Sequence, residues 1–368
     1  MSEPIRVILA GGGTAGHTSP LIATAEQLAA GGAVDIVCIG TPKGLENRVI
    51  PEAGLKLALI PPVPLPRRPS KDLIALPLRL RTAVSQAKAL LREHRAQVVA
   101  GFGGYVSLPV YLAARSLRIP LVIHEGNAVP GLANKVGARF AEVIATSFPD
   151  TPLPHAQVVG LPVRTAIEGL DRQARRPEAR RGFELPQQGP VLLVSGGSQG
   201  ARSLNIATTG AIEGLLASGI SVLHVVGPAN LSDDVVARTD STSAAVYRPL
   251  GFVDDMAAAY AAADLMLGRA GAATVTETAM IGLPTIFVPL PHGNGEQARN
   301  AQFLMDADAG ILIADADLSA QRLQTEVTAV LGDPDRLQRM SETCRALVPG
   351  GAAGRLAERI RSLVEGEE

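Results

Sequence analysis

The chain has 368 residues, 46% of them hydrophobic, with 34 Lys and Arg against 35 Asp and Glu for a net charge of −1. That length fits two domains with a core each, and the charge balance leaves no electrostatic footprint for a nucleic-acid partner. Cys38 and Cys344 form no metal-binding spacing and suit a reducing cytoplasm better than a disulfide.

The first apolar run, Ile5 to Ala10, leads directly into Gly11-Gly12-Gly13-Thr14-Ala15-Gly16-His17. A β-branched strand that ends in glycines and opens a helix presents backbone N–H groups where the helix dipole favours an anion. Arg6 and the glycines also break any signal-peptide pattern. A helix is expected over Pro20 to Ala30, then a strand over Val34 to Ile39. Gly11, Gly13 and Gly16 have GxGxxG spacing, but a dinucleotide fold wants an acid after the second strand, and Asp35 lies at its wrong end. Read as a P-loop, the turn has His17 where Lys is required. An NAD enzyme and a P-loop NTPase both lose ground.

A helix over Ala75 to His94 and strands at Val98–Ala100, Leu121–His124 and Val143–Ala145 complete the first half. The longest uncharged stretch, Val98 to Ala114, is broken by Gly101, Gly103, Gly104 and Pro109, so it reads as strand, loop and helix rather than a membrane span. Val158 to Arg164 forms the joint, and Arg172 to Arg181 after it reads as a solvated helix face. Strands at Val191–Val194, Ser221–Val226, Leu265–Leu267 and Thr285–Val288 follow, the first running into Ser195-Gly196-Gly197-Ser198-Gln199-Gly200. Alternating strands and helices predict parallel sheets with crossover helices. Two such glycine turns predict a pair of doubly wound, nucleotide-binding-type α/β domains facing across a cleft.

The sharpest constellation follows the strand Asp264 to Gly268. Gly271, Ala272 and Ala273 are small enough for backbone to approach a pyrophosphate, and Glu277 stands where it could accept hydrogen bonds from both ribose hydroxyls. Alone, such a glutamate also serves the helix dipole. The loop His292 to Gln297 adds polar groups, and the amphipathic tail Arg355 to Val364 is left unplaced.

The glycine turn at Gly11, Gly103-Gly104-Tyr105-Val106-Ser107, His124-Glu125-Gly126-Asn127, Pro162-Val163-Arg164, the turn at Gly196, Arg269 to Glu277, and Pro291 to Gln297 with Asn300 occur in the order and spacing of one family. The chain resembles the bacterial transferases that add N-acetylglucosamine from UDP-N-acetylglucosamine to undecaprenyl-pyrophosphoryl-N-acetylmuramoyl-pentapeptide, from about Ile5 to about Leu363. The resemblance implies a GT-B glycosyltransferase architecture. Residues 1–163 would form the acceptor-side, membrane-facing domain, with a helix over about 346–368 packing back on it, and 164–345 the donor domain. It implies donor contacts at Thr14, Ala15 and Gly16, at Asn127, Arg164 and Ser198, at Val253 for uracil, at Ala272, Ala273, Thr274, Val275, Thr276 and Glu277 for phosphate and ribose, and at Gln297 for the sugar. Leu161 and Ala270 depart from the family pattern and lose a polar group there, and Glu296 replaces the first Gln of the family's usual pair at the transferred sugar.

The implied reaction is an inverting attack of a sugar 4-hydroxyl on the donor's anomeric carbon, with UDP leaving. It needs a base for the hydroxyl proton and stabilisation of the diphosphate. His17, the imidazole on a glycine turn, is the leading base candidate, with Glu125 the alternative. No Asp-x-Asp pair lies beside the glycine turns, so neither metal nor cofactor is expected. A lipid-linked acceptor implies peripheral attachment to the anionic cytoplasmic membrane surface. Val63 to Arg81 offers it, with Arg67, Arg68, Lys71, Arg79 and Arg81 among Leu73, Ile74, Leu76, Leu78 and Leu80. A GT-B transferase acting on another lipid or soluble acceptor stays open as an alternative.

Overall fold

The computed structural model describes residues 3–64, 72–197, 199–233, 235–292 and 294–366, with the side chains of 72–75 left out. Two compact units emerge, Met1–Thr165 with Gly351–Glu368, and Ala166–Gly350.

The first unit is built on parallel strands β1 Ile5–Ala10, β2 Val34–Gly40, β3 Lys56–Leu59, β4 Val98–Gly101, β5 Leu121–Glu125, β6 Val143–Thr146 and β7 Gln157–Val158. Their spatial order is β3-β2-β1-β4-β5-β6-β7. Such a sheet is covered on both faces, so its central strands are apolar throughout rather than alternating. Val7 and Leu9 pack on one face with Leu21 and Leu28, while Ile8 and Ala10 pack on the other with Tyr111 and Val110. The amphipathic tail forms helix Ala352–Glu365, whose Leu356, Ala357 and Ile360 join the core under helix Ala15–Ala30. Arg361 Nη2 donates to the Leu28 carbonyl at 2.6 Å and Arg355 Nη2 to that of Val159 at 2.8 Å, fixing both ends of the tail.

The second unit repeats the plan with β8 Val191–Ser195, β9 Ser221–Val225, β10 Arg238–Thr239, β11 Val246–Leu250, β12 Leu265–Gly268, β13 Thr285–Phe287 and β14 Gly310–Leu312. The order is β10-β11-β9-β8-β12-β13-β14, parallel except for β10. In both sheets the order reverses beside the first strand of the unit. Doubly wound sheets open their binding crevices at that switch, outside the strands' carboxyl ends.

Two expectations are corrected. Helix Ala15–Ala30 begins five residues before Pro20, which lies buried inside it. Thr14 starts the helix directly at the glycine turn. The arginine-rich helix Arg172–Gly182 is not a solvated face, because Arg172 and Arg180 are buried. Arg172 donates to the carbonyls of Tyr260, Gly282 and Ala263, and Arg180 to that of Ala262 and to Asp264. Their charges are dispersed over main-chain ends that would otherwise be buried unpaired.

Each unit also buries one histidine built to stay neutral. His124 Nε2–H donates to the Gly160 carbonyl at 2.9 Å, and its Nδ1 has no partner. His224 donates from Nε2 to Asn205 Oδ1 and accepts from the Tyr247 hydroxyl, each at 3.1 Å. Burial pushes both imidazoles down to about 4. Between an unfolded value near ~6.5 and that folded value the unfolded chain binds more protons, so stability falls as pH falls through this window. The midpoint of thermal unfolding should therefore drop steadily from pH 6.5 to 5, before most carboxylates titrate. A constant midpoint there would contradict the neutral-histidine assignment.

Candidate functional site

In the first unit the ends of β1 and β4 are level, Ala10 pairing with Gly101, and β5 runs two residues further, Gly101 pairing with Ile123 and the strand ending at Glu125. The loops after these strands therefore converge at one edge. Gly104 has φ +91°, and a Cβ there would overlap the Gly12 carbonyl, so bare backbone meets bare backbone. The neighbouring Gly103 leaves room for the His17 ring, whose Nε2 lies 3.1 Å from where a Cβ at Gly103 would stand.

His17 is half-buried on the first turn of its helix. Its Nδ1 lies 3.0 Å from the Gly12 carbonyl, an acceptor only, so Nδ1 carries the proton and donates. In the neutral ring that leaves Nε2 as the basic nitrogen. Glu125 is engaged differently. Its Oε1 accepts from the Asn127 N–H, and its Oε2 from the Gly131 N–H and Asn134 Nδ2, each at 2.9 Å. Both oxygens of this buried carboxylate hold the loop after β5 in shape. Thr14, Ala15, Gly16 and Arg164 are exposed in this unit, and Asn127 is half-buried.

One residue at this edge escaped the sequence reading. Glu46, fully buried, accepts at Oε2 from the Gly13 N–H and at Oε1 from the Thr41 N–H and hydroxyl, at 2.8, 2.9 and 2.8 Å. Burial alone would raise its pKa, but these hydrogen bonds outweigh it and hold the carboxyl below the usual glutamate range. The glycines at 40 and 44 are the sequence signal, since each leaves space that the Glu46 side chain fills.

In the second unit Gly200, at φ +75°, lies so close to the Val226 carbonyl that a Cβ would overlap it. Ser198, in the same turn, lies outside the described residues. Helices Arg202–Ala217 and Ala272–Met280 start at Ala201 and Gly271, which have no side chain able to cap them. Their first-turn amides are available to an anion at the carboxyl edge of the sheet. Glu277 is half-buried, and its Oε2 accepts the Tyr260 hydroxyl at 2.8 Å, a partner the sequence did not reveal.

Within Ala272 to Glu277 the helical period divides the residues. Ala273, Thr274 and Glu277 are partly exposed, whereas Val275 sits in the core with Ala279 and Phe287, and its N–H is bonded to Gly271. Ala272 and Thr276 are buried as well. Val253 is buried after β11, and Gln297 is half-buried with its Oε1 accepting the Leu290 N–H at 2.9 Å, which leaves its amide NH₂ to donate. Arg269 ties the edge together by pairing with Asp315 at 2.5 Å and donating to Ser203 and the Val288 carbonyl.

Two doubly wound units with glycine turns at their carboxyl edges, one offering two helix starts without capping side chains, have the architecture of a GT-B nucleotide-sugar glycosyltransferase. The chain belongs to glycosyltransferase family 28, whose N-terminal domain matches residues 7–146 and whose C-terminal domain matches residues 191–350. It is 56% identical, over 97% of both chains, to the UDP-N-acetylglucosamine–N-acetylmuramyl-(pentapeptide) pyrophosphoryl-undecaprenol N-acetylglucosamine transferase of Cutibacterium acnes. It is 54% identical, over 98% of both chains, to the enzyme of the same name from a Nocardioides species. The crystal structure of Acinetobacter baumannii MurG superposes with a TM-score of 0.77 at 30% identity, covering 98% of this chain and 100% of that one.

Proposed function

We propose that this chain transfers N-acetylglucosamine from UDP-N-acetylglucosamine to undecaprenyl-pyrophosphoryl-N-acetylmuramoyl-pentapeptide, with inversion at the anomeric carbon. The observation that carries this reading is 56% identity across 97% of both chains to a relative named for that reaction. In this reading the donor belongs to the second unit. Glu277 accepts from the ribose hydroxyls, the amides at the starts of helices Ala272–Met280 and Arg202–Ala217 take the diphosphate, the backbone at Val253 meets uracil, and the Gln297 amide donates to the sugar. Thr14, Ala15, Gly16, Asn127, Arg164 and Ser198 are further donor contacts carried over from the family.

His17 is the base. Its Nδ1–H bond to Gly12 fixes the tautomer with Nε2 ready to take the proton of the acceptor 4-hydroxyl as that oxygen attacks. Glu125 is the weaker choice, because both its oxygens already accept from the loop. Helix N-termini stabilise the departing diphosphate, so the reaction is proposed to need no metal. The direct test is transfer of labelled sugar to a short-chain lipid acceptor in EDTA. Product should form, and its absence, or transfer only to an unrelated acceptor, would refute the assignment.

Variants separate the two roles. Glu277→Ala removes charge-assisted bonds worth about 1.5–3 kcal/mol each, so donor KM should rise at least about tenfold. His17→Ala should lower kcat by about 10²–10⁴-fold with little change in donor KM. Unaltered UDP affinity by calorimetry in the first variant would remove Glu277 from the ribose. A donor-KM effect alone in the second would reassign His17.

The lipid acceptor calls for a membrane-facing surface. Among the described residues no helix is long and apolar enough to cross a membrane. Leu78 is 71% exposed on helix Asp72–Glu93, flanked by exposed Arg79 and Arg81, a pairing of apolar and cationic groups suited to an anionic interface. Arg67, Arg68 and Lys71 lie outside the described residues. We propose peripheral attachment to the cytoplasmic face through this segment, each basic residue contributing about 1 kcal/mol. Changing Arg67, Arg68, Arg79 and Arg81 to Glu should release the protein from anionic liposomes while a water-soluble acceptor analogue reacts normally. Unchanged sedimentation with liposomes would exclude the segment.

A further inference from the structure

A fully buried carboxylate that the reaction does not consume sits directly behind the first glycine turn. Glu46 opens helix Glu46–Glu52, and its side chain reaches across to the backbone after β1 and β2. Three donors converge on it: the Gly13 N–H, the Thr41 N–H and the Thr41 hydroxyl. Only an acceptor-only group with two oxygens satisfies all three, since an amide would turn an NH₂ toward one of the donors. The surroundings are cut to fit it. A Cβ at Gly12 or Gly44 would overlap the carboxylate, and one at Gly40 would come within 2.5 Å of its Cγ.

The peptide that Glu46 grips also carries the His17 tautomer lock. Gly12 packs on the carboxylate, Gly13 donates to it, and the Gly12 carbonyl accepts His17 Nδ1–H. From the other side Gly104 closes on the same carbonyl. A run of three glycines has more backbone freedom to lose than any other sequence, so an unheld turn would sample many orientations of that carbonyl. The carboxylate holds the Gly13 N–H at 2.8 Å, and the Gly12 carbonyl of the same peptide meets His17 Nδ1 at 3.0 Å.

We infer that Glu46 is a positioning residue for the transfer reaction, acting through the Gly12–Gly13 peptide to fix the orientation and tautomer of His17. The inference rests on the reading of His17 as base. Small displacements of a reacting group cost up to about 100-fold in rate without weakening substrate binding. The effect of losing Glu46 therefore belongs in kcat.

The test is a double-mutant cycle on the full chain, with thermal unfolding monitored in parallel. Glu46→Gln should lower kcat by about tenfold or more and leave the KM for UDP-N-acetylglucosamine within about twofold. Added to His17→Ala, it should cause no further loss of kcat, because the group it positions is gone. Thr41→Val, which keeps the volume and removes one donor, should lower kcat by a smaller factor, and it carries the test if Glu46→Gln does not fold. Unchanged kcat in a folded Glu46→Gln or Thr41→Val variant, or the same factor with and without His17, would overturn the inference. Full kcat in His17→Ala alone would instead overturn the base assignment and the inference with it.

Discussion

Contact of bare backbone with bare backbone at the carboxyl edges of two parallel sheets is the constraint on which the rest of this molecule depends. In the first unit Gly104 lies against the Gly12 carbonyl, and in the second Gly200 lies against that of Val226. Neither position has room for a Cβ, and each has a positive φ that side chains disfavour. Because the flanking strands end level, these contacts bring each glycine turn to one edge beside the other loops of its unit. What differs between the units is how the exposed amides are satisfied.

In the first unit the chain supplies its own anion, Glu46, to the Gly13 amide. In the second, the starts of helices Arg202–Ala217 and Ala272–Met280 have no capping side chain. The same local chemistry thus leaves the first turn closed by the chain's own carboxylate and the two helix starts of the second unit without one. Among the described residues the buried charged side chains Glu46, Glu125, Arg172 and Arg180 all have partners, as does half-buried Arg269. Arg172 and Arg180 disperse over carbonyls beneath the second sheet, Glu125 gathers loop amides, and Arg269 pairs with Asp315. Each would be costly to strip of its partners, because a charge left alone in the interior loses solvation without compensation.

How much of this the sequence discloses follows from the range of each interaction. Central strands such as β1, β4, β5, β8 and β12 are covered on both faces, so their apolar runs are plain. The strands β3, β11 and β14 are missing from the sequence reading because part of each faces solvent, and β11 carries Arg248 and Pro249. The glycine turns are legible from spacing alone, as is Glu277 as a candidate. Its partner Tyr260, 17 residues earlier, is not, since nothing local announces the contact. The arginine run misled for a related reason: composition counts charges but not the carbonyls that await them. Helical period, applied to Ala272 to Glu277, would have separated inward Ala272, Val275 and Thr276 from partly exposed Ala273, Thr274 and Glu277.

We propose that the two turns have different electrostatic occupants, the chain's own carboxylate in the first and the donor diphosphate in the second. Hydrogen exchange of the full chain with and without UDP tests it most directly. UDP should slow exchange at the amides of Gly196 and Gly197 and of Ala272 to Thr274, and leave Gly13, already bonded to Glu46, unchanged. Protection gained at Gly13, with none at Ala272 to Thr274, would contradict the account.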